Sequence, residues 1–446
     1  MSRFARFGAI GLLTFFSSGV PLFAQESARG NAIAFVGANV IPMDRERVIE
    51  NQTVIVRDGR IAEIGPAATI RIPSGAARVE ARGKYLLPGL AEMHGHIPPP
   101  NAPAAFIENV LFLYVANGIT TVRGMLGAPN QLELREKAKS GAIVSPTLYL
   151  AGPSFNGNSV NSPADAERMV REQKAQGWDL LKVHPGLTRD EYDAMARTAK
   201  QVGIRFGGHV PAEVGLAHAL ESGQETIDHL DGYVEYLDGD KGPLDSSRLT
   251  EAVRRSREAN TWVVPTMALW ETLMGIPTVE ALKRYPELKY MPPNMVKGWV
   301  EAHENRLKNP EVDVTTGRRV AANRMRILKA LRDGGVRVLM GTDAPQQFSV
   351  PGFSLQRELV AMREAGLTPY EILESGTRNV GTYFSAKDDF GTVAQGKRAD
   401  LILVDANPLE NIANLERRSG VMVAGRWLPE ADIRKRLDKI AEGYRK

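Results

Sequence analysis

The sequence predicts an α/β fold in which a large barrel of alternating strands and helices is joined by a smaller β domain built from the two chain ends. Three observations support this prediction. The 446 residues suffice for a barrel and a second module. A strand-then-helix rhythm fills the middle of the chain. Short alternating strands separated by turns fill both ends.

The N-terminal segment, residues 1–24, has the order of a secretory signal peptide. Arg3 and Arg6 precede an apolar run at 8–16, and the small residue Ala24 follows at the expected cleavage site. The run is shorter than the roughly 18 apolar residues that a membrane span needs. We therefore expect a periplasmic or secreted protein without a stable membrane anchor, with an uncleaved anchor as the alternative.

The two chain ends, residues 33–86 and 388–432, are predicted to form one β-sandwich domain. Short strand patterns at 53–56 and 61–64 flank Asp58-Gly59, which is a strong hairpin signal. A similar texture returns at 391–404 and 421–427. Neither end could bury both faces of its own sheet, so the two ends should pair with each other.

The central region, residues 87–387, is predicted to be a (β/α)8 barrel of the TIM type. Helical patterns, such as those at 163–176, 189–202 and 319–333, separate many of the candidate strands. In this fold, catalytic residues gather at the C-terminal ends of the strands. The eight candidate strands are 87–94, 120–123, 147–151, 180–183, 205–209, 226–229, 261–265 and 338–343.

Potential metal ligands stand at the predicted C-terminal ends of these strands. His94 and His96 end the first strand, and strand geometry sends residues i and i+2 to the same face. Neutral imidazole suits zinc, although manganese, cobalt and iron accept similar ligands. We therefore predict a metal centre. The further candidates are Lys182, His209, His229 and Asp343.

Composition narrows the possible partners. The net charge of +4 falls to +2 without Arg3 and Arg6, and no basic cluster is interleaved with aromatic residues, so we predict no nucleic-acid partner. The chain has no cysteine, which excludes disulfides and a lipid anchor on cysteine. Its oligomeric state stays open, and a homo-oligomer is one option.

Several motifs in the same order resemble the amidohydrolase superfamily, within its imidazolonepropionase-like and prolidase-like group of metal-dependent hydrolases. The similarity spans nearly all of residues 33–430. The resemblance implies a hydrolase that cleaves a C–N amide bond in a small molecule: a dipeptide, an N-acyl amino acid or a cyclic amide. The motifs are Leu-Pro-Gly-Leu at 87–90 with His94-Gly95-His96, Gly-Ile-Thr-Thr-Val-Arg at 118–123, Ile227-Asp228-His229, Gly341-Thr342-Asp343, and Gly-Lys-Arg-Ala-Asp-Leu at 396–401.

Lys182 takes its predicted role from this resemblance, which implies a carbamate (N6-carboxylysine) bridging two divalent ions, with zinc favoured. A protonated lysine would repel a dication, whereas a carbamate binds one as a carboxylate does. His94 and His96 would then hold the more buried ion, and His209 and His229 the other. The alternative is a lysine paired with a nearby acid at the barrel mouth.

The expected mechanism uses a hydroxide shared by the two ions as nucleophile. Asp343 would bind one ion, take the proton as general base, and deliver it to the leaving amine. Tyr233 is the candidate for binding the carbonyl oxygen, unless it is a packed loop aromatic. His184 shares the face of Lys182 and is predicted to contact substrate. Arg123 could bind a substrate carboxylate or brace the barrel by pairing with an internal acid.

Alternatives to amide hydrolysis remain open at this point. A mononuclear deaminase would use a glutamate close after the strand-five histidine, such as Glu213, and would leave Lys182 without a role. An esterase or lactonase would use the same nucleophile, and a binding or sensor protein would keep only the scaffold. Prolidase-like relatives place a carboxylate-binding histidine in the loop here numbered 153–158. This sequence lacks it, which weakens a dipeptidase reading. The long segment 236–316 would form either a lid over the pocket or a packed insertion.

Overall fold

The computed structural model describes residues 32–309 and 312–445, so the predicted signal peptide of residues 1–24 lies outside the described residues. Within the described chain, no helix is long and apolar enough to cross a membrane. The strands are β1 (Ile33–Val40), β2 (Ile49–Arg57), β3 (Arg60–Pro66), β4 (Ala77–Glu80), β5 (Tyr85–Pro88), β6 (Leu90–Gly95), β7 (Ile119–Gly124), β8 (Thr147–Leu150), β9 (Leu180–Val183), β10 (Arg205–Gly208), β11 (Thr226–Asp228), β12 (Trp262–Val264), β13 (Arg337–Val338), β14 (Leu401–Val404), β15 (Arg418–Val423) and β16 (Arg426–Pro429).

Helices separate most of the central strands, as the sequence rhythm predicts. Short 3-10 helices occupy Pro286–Tyr290 and Ile412–Glu416. The α-helices are α1 (Ala104–Ala116), α2 (Gln131–Lys139), α3 (Pro163–Gln176), α4 (Arg189–Val202), α5 (Gly215–Glu221), α6 (Tyr233–Tyr236), α7 (Ser246–Glu258), α8 (Met267–Leu273), α9 (Val279–Leu282), α10 (Pro293–Lys308), α11 (Val314–Asp333), α12 (Leu355–Glu364), α13 (Pro369–Gly376), α14 (Arg378–Tyr383) and α15 (Glu430–Tyr444).

The local chemistry of α3 and α4 explains why these helices begin and end where the pattern predicts. Ser162 caps α3 by accepting a hydrogen bond from the Asp165 amide, and Thr188 and Glu191 form a capping box on α4. Left-handed glycines, Gly177 and Gly203, end the two helices. These signals fix the crossovers on either side of β9, and hence the position of Lys182.

The two chain ends meet in one sheet, where two stacked sheets were predicted. Its strand order is β16-β15-β14-β5-β1-β2-β3, and β4 pairs with β1. The Asp58-Gly59 hairpin between β2 and β3 is confirmed. The sheet also curls, because the amide of Ile61 in β3 donates to the Lys397 carbonyl at 2.9 Å. The two ends therefore pair within one sheet, while their packing as a face-to-face sandwich stays a prediction.

The eight central strands are parallel and lie in two sheets, β6-β7-β8 and β13-β12-β11-β10-β9. The sheets meet on one side at an isolated parallel bridge between Ala151 and Leu180. On the other side the Met93 amide donates to the Met340 carbonyl at 2.8 Å. The arrangement is TIM-barrel-like, although the ladder is not one continuous sheet.

The predicted first barrel strand proves to be two strands. β5 belongs to the terminal sheet, where Leu87 pairs with Ile402, and β6 begins at Leu90 beside β7. The break falls at Gly89, where an added Cβ would lie 2.2 Å from the Thr120 hydroxyl oxygen. Only glycine fits there, so this residue lets the chain pass from the terminal sheet into the barrel.

Residues between Tyr236 and Thr316 form mainly helices, apart from the short strand β12. Within this segment Trp299 packs against Phe348 at 5.9 Å between ring centroids, and Tyr290 stacks on Phe353 at 4.9 Å. Phe348 and Phe353 lie in the loop that follows β13. The segment therefore packs on the loop that carries Asp343, which is the packed-insertion alternative raised by the sequence.

Candidate metal centre

The fold brings the six predicted ligands to the same ends of the central strands. His94 lies in β6 and Lys182 in β9, while His96, His209 and His229 follow β6, β10 and β11 directly. Asp343 follows β13. Because all eight strands are parallel, their C-terminal ends face the same way and the six side chains gather there.

His94 is the most connected member of this cluster. Its Nε2 lies 3.0 Å from the Lys182 Nζ, and its Nδ1 lies 2.7 Å from an oxygen of Asp228. All three side chains are at most 1 % exposed. Burial, with help from Lys182, holds the pKa of His94 well below its usual range. The imidazole is therefore neutral, which is the form that binds a metal.

Asp343 joins the histidines on the opposite side of the cluster. Its Oδ1 lies 2.6 Å from the His96 Nε2, and its Oδ2 lies 3.8 Å from the His229 Nε2. One ligand atom each from His94, His96 and Asp343 falls within 4.8 Å of the others. Two imidazoles and a carboxylate at this spacing form a donor set suited to a divalent ion.

Four imidazole rings form a continuous row through the site. Ring centroids are 4.3 Å apart for His94 and His229, 4.4 Å for His229 and His209, and 4.9 Å for His209 and His184. Burial is the main cause of a lowered pKa for both His229 and His184, about 2 for the latter. Neighbouring imidazoles and Lys182 push both pKa values in the same direction, which favours the neutral form of His229 and His184.

Three of these histidines are anchored through Nδ1. His94 bonds Asp228, His209 bonds Asp231 at 2.6 Å, and His229 bonds Thr266 at 2.8 Å. A metal-binding histidine usually has its second ring nitrogen fixed in this way. The anchored Nδ1 leaves each Nε2 available to the cluster.

One orphaned atom tests whether a metal fits. His229 Nε2 is buried, yet it makes no hydrogen bond within the described chain. Buried polar atoms are normally paired, so this unpaired nitrogen lone pair needs a ligand. A divalent cation satisfies it, and with the Asp343 carboxylate only 3.8 Å away the donor chemistry fits a metal ion.

A known protein family matches most of the chain. The model of the amidohydrolase family matches residues 85–428. The chain belongs to the amidohydrolase family. This match confirms the family resemblance seen in the motifs, and with the TIM-barrel-like strands it accounts for the histidine-rich cluster.

Curated relatives differ in activity and in length. An adenine deaminase of Rhizobium meliloti is 21% identical over 84% of this chain and 56% of its own length. An imidazolonepropionase of Micrococcus luteus is 24% identical over 83% of this chain and 91% of its own length. The chain thus spans only about half of the deaminase, and 37% of a second one from Paracoccus denitrificans.

Solved structures agree on the fold. A Xaa-Pro dipeptidase with methionine bound in its active site has a TM-score of 0.69 and 21% identity, covering 90% of this chain and all of that one. Bottromycin amidohydrolase has a TM-score of 0.75 and 24% identity, covering 94% and 91%. At these identities the likeness shows a shared amidohydrolase fold.

Two predicted substrate-binding residues of this amidohydrolase, Tyr233 and Arg123, have hydrogen-bond partners inside the protein. The Tyr233 hydroxyl is fully buried and hydrogen bonds with Ser256 at 2.6 Å. Arg123 is fully buried and donates to Asp228 and to the Met93 carbonyl. These contacts match the pairing with an internal acid that the sequence left open for Arg123. Within the described residues, the Tyr233 hydroxyl is thus directed to Ser256 rather than to the histidine row.

Sequence reasoning missed the residues that support the ligands. Glu92 accepts from the amides of His94 at 3.0 Å and Thr342 at 2.8 Å, so it ties β6 to the segment that carries Asp343. Asp228 lies in a buried strand next to His229. A charged residue in such a strand is the signal that could have revealed Asp228 and Glu92.

Backbone strain is concentrated at the same place. His229 and Asp343 have φ of 64° and 62°, and Thr266 has 46°. Non-glycine residues rarely adopt these left-handed angles, and a β-branched threonine does so at a cost. The buried guanidinium of Arg324 donates to the carbonyls of His229 and Pro265, which holds this turn in place.

Proposed function

We propose that this chain is a metal-dependent hydrolase that cleaves a C–N amide bond in a small molecule. A dipeptide, an N-acyl amino acid or a cyclic amide would be the substrate. The observation that carries this proposal is a fully buried Lys182 within the cluster of histidines and Asp343. The relatives named as imidazolonepropionase and Xaa-Pro dipeptidase are consistent with C–N chemistry.

We propose a centre of two divalent ions, with zinc as the favoured metal. His94 and His96 would hold one ion and His209 and His229 the other, with Asp343 on one of them. When bound, such ions supply a water of lowered pKa and polarise the carbonyl of the substrate. The chain's own contribution is the fixed orientation of three of these imidazoles, His94, His209 and His229, each held through Nδ1.

Lys182 supports the proposal of a carbamate. Burial lowers its pKa to about 8, partly opposed by the carboxylates of Asp228 and Asp343. A lysine with a lowered pKa more readily supplies the neutral amine, whose lone pair can form an N–C bond to carbon dioxide with release of one proton. In the part of the chain that the structure describes, Lys182 makes no ion pair with a carboxylate, and its nearest partner is His94. This weakens the alternative of a lysine paired with an acid.

Asp343 is the proposed general base. It is 5% exposed, and its carboxylate lies among the histidines, with Oδ1 2.6 Å from the His96 Nε2, which suits a group that takes and returns a proton in the cluster. In the proposed reaction Asp343 takes the proton of the attacking water and returns it to the leaving amine. His184 is the proposed substrate contact, and its partial exposure and stacking on His209 support this role.

A mononuclear deaminase is the second candidate, and the adenine deaminase relatives favour it. Its expected glutamate does not match, because Glu213 is exposed to solvent. The buried Lys182 would also have no role in a one-metal site. We therefore prefer amide hydrolysis, with an esterase or lactonase that uses the same centre as a further alternative.

We also propose export to the periplasm or the medium, on the strength of the predicted signal peptide at residues 1–24. Sequencing the N-terminus of protein recovered from the periplasm tests this directly. Export predicts a mature chain that begins near Gln25. A chain that begins at Met1 would contradict it.

The activity test compares chelated protein with protein reloaded with zinc and bicarbonate, on a panel of dipeptides, N-acetyl amino acids, cyclic amides and adenine. We expect amide cleavage only after reloading, and a loss of about a hundredfold or more in Asp343→Asn. Glu213→Gln is the matched control and should keep its activity. Amide cleavage by metal-free protein, or ammonia release from adenine that depends on Glu213, would contradict the proposal.

A further inference from the structure

Three buried side chains form a line that ends at the metal centre. Arg123 in β7 donates through Nη2 to both Asp228 oxygens, at 3.2 and 3.0 Å. Asp228 in β11 lies 2.7 Å from the His94 Nδ1 in β6. Exposure is 0% for Arg123 and Asp228 and 1% for His94. The line thus joins the cation of Arg123 and the carboxylate of Asp228 to His94, a proposed metal ligand, and all three side chains are buried.

The chemistry of the line fixes the proton on His94. A guanidinium has donors only, so Asp228 must accept from Arg123. With both oxygens held by Arg123, Asp228 accepts from the His94 Nδ1–H, and the Nε2 lone pair is left facing Lys182 and Asp343.

The other two anchored histidines are held less firmly. The His209–Asp231 pair is 17% exposed at each side chain. His229 is anchored by the neutral hydroxyl of Thr266. A charged hydrogen bond is stronger than a neutral one, and it is stronger in a dry interior than near water. We therefore expect the hydrogen bond from Asp228 to hold the His94 ring more firmly than Asp231 holds His209 or Thr266 holds His229.

We propose that Asp228, clamped by Arg123, is a positioning residue that makes the His94 metal position the tighter of the two. This inference rests on the proposed two-metal centre. It assigns a functional difference to the partners of His94 and His209, which are otherwise alike in chemistry. A purely structural role for Asp228 would instead change the stability of the metal-free protein and leave metal affinity unchanged.

The experiment titrates metal-free protein with Zn²⁺ alone, in competition with a chromophoric chelator, for wild type, Asp228→Asn and the matched control Asp231→Asn. Loss of a partner of a metal-binding histidine weakens metal binding by about 10- to 100-fold. We expect this loss for the first ion in Asp228→Asn. In Asp231→Asn the first ion should bind as in wild type and only the second should weaken. The visible spectrum after loading with Co²⁺ should change in Asp228→Asn.

Failure of the inference differs from failure of the proposed function. An unchanged first-ion affinity in Asp228→Asn, or equal losses in the two variants, would overturn the role of Asp228. A wild-type protein that binds no zinc would overturn the metal centre itself, and the inference with it.

A second variant covers the case in which Asp228→Asn does not fold. Arg123→Lys keeps a positive charge beside Asp228 but cannot hold both Asp228 and the Met93 carbonyl with one planar fork. We expect weaker binding of the first zinc ion, with the second unaffected. First-ion binding equal to that of wild type would overturn the proposal.

Discussion

Two buried ionisable residues beside the metal centre, Lys182 and Glu92, have shifted pKa values. Lys182 and Glu92 are both fully buried. Burial lowers the pKa of Lys182 and raises the pKa of Glu92, to about 8 in both cases, so it favours the neutral form of each group. For Lys182 this favours the reactive amine. For Glu92 it favours a protonated carboxyl that ties His94 to Thr342. The two groups lie close to the same cluster but serve different purposes.

Glu92→Gln tests the effect of burial on stability. The folded chain holds a proton on Glu92 that the unfolded chain releases, because the folded pKa is about 8 and the ordinary value is 4.5. The free energy of unfolding should therefore fall as pH rises through that window. Glutamine keeps the acceptor and removes the titration. In urea unfolding of metal-free protein, its advantage over wild type should grow between about pH 5 and about pH 9. An equal effect at both pH values would contradict this.

Tyr233→Phe tests the predicted helper of the carbonyl. The hydroxyl bonds Ser256, so we expect a loss of about 1 kcal/mol in stability and unchanged kcat. Ser256→Ala is the matched variant and should cost a similar amount of stability. A fall of about a hundredfold in kcat, the size of a lost oxyanion donor, would restore the catalytic role of Tyr233.

The residues that could be predicted differ from those that could not in a physical way. His94, Lys182 and Asp343 follow or end apolar strands, where parallel topology alone predicts convergence. Asp228 and Thr266 act through side chains on other strands, and their partners are fixed by three-dimensional packing. The spacing of residues in the sequence therefore could not predict that Asp228 and Thr266 bond the Nδ1 atoms of His94 and His229.

At the scale of elements, the junction between β12 and α8 is built to hold His229. Thr266 takes a left-handed angle there and bonds the His229 Nδ1. Glu358, fully buried on α12, accepts from the first two amides of α8, those of Met267 and Ala268. A carboxylate at a helix N-terminus satisfies otherwise unpaired amides. Glu358 therefore stabilises the start of α8, which directly follows the strained Thr266.

Thr266→Val tests this junction. Valine keeps the shape but removes the hydroxyl, so His229 loses its anchor and the zinc ion that it serves should bind about tenfold more weakly. Thr266→Ser keeps the hydroxyl and should bind zinc as wild type does. Competition titration measures both. Equal behaviour of the two variants would show that the hydroxyl does not orient His229.

The passage from β5 to β6 shows how much of an element can be predicted. The apolar run from Leu87 to His94 reads as one strand because its hydrophobicity is continuous. The break at Pro88-Gly89 depends on partners far away in sequence, Ile402 on one side and Ile119 on the other. Local pattern could therefore predict the extended backbone but not its division between two sheets.

At the scale of the whole molecule, Arg398 joins the terminal sheet to the barrel. It bonds Asp388 and Asp400 and donates to the Thr121 hydroxyl of β7 at 2.9 Å. The pairing of the chain ends was predictable, because neither end could bury its strands alone. Their union in a single curled sheet was not, since it depends on contacts across more than three hundred residues, such as Ile61 with Lys397.

Arg398→Ala tests this link. The variant leaves two carboxylates without their partner at a side chain that is only 10% exposed, so we expect a loss of about 3 to 5 kcal/mol. Arg434→Ala on α15 removes a pair with Glu430 that is 68% and 42% exposed, and should cost at most about 1 kcal/mol. Thermal unfolding measures both. Equal shifts would show that Arg398 does not join the two regions.

A two-metal centre would need a modified Lys182 to hold both ions. Metal content per chain tests this, measured on protein purified without chelator and with bicarbonate, for wild type and Lys182→Ala. We expect about two ions per chain in wild type and one or none in the variant, with loss of amide hydrolysis. A single ion in both, with Lys182→Ala still active, would contradict it and favour the deaminase alternative.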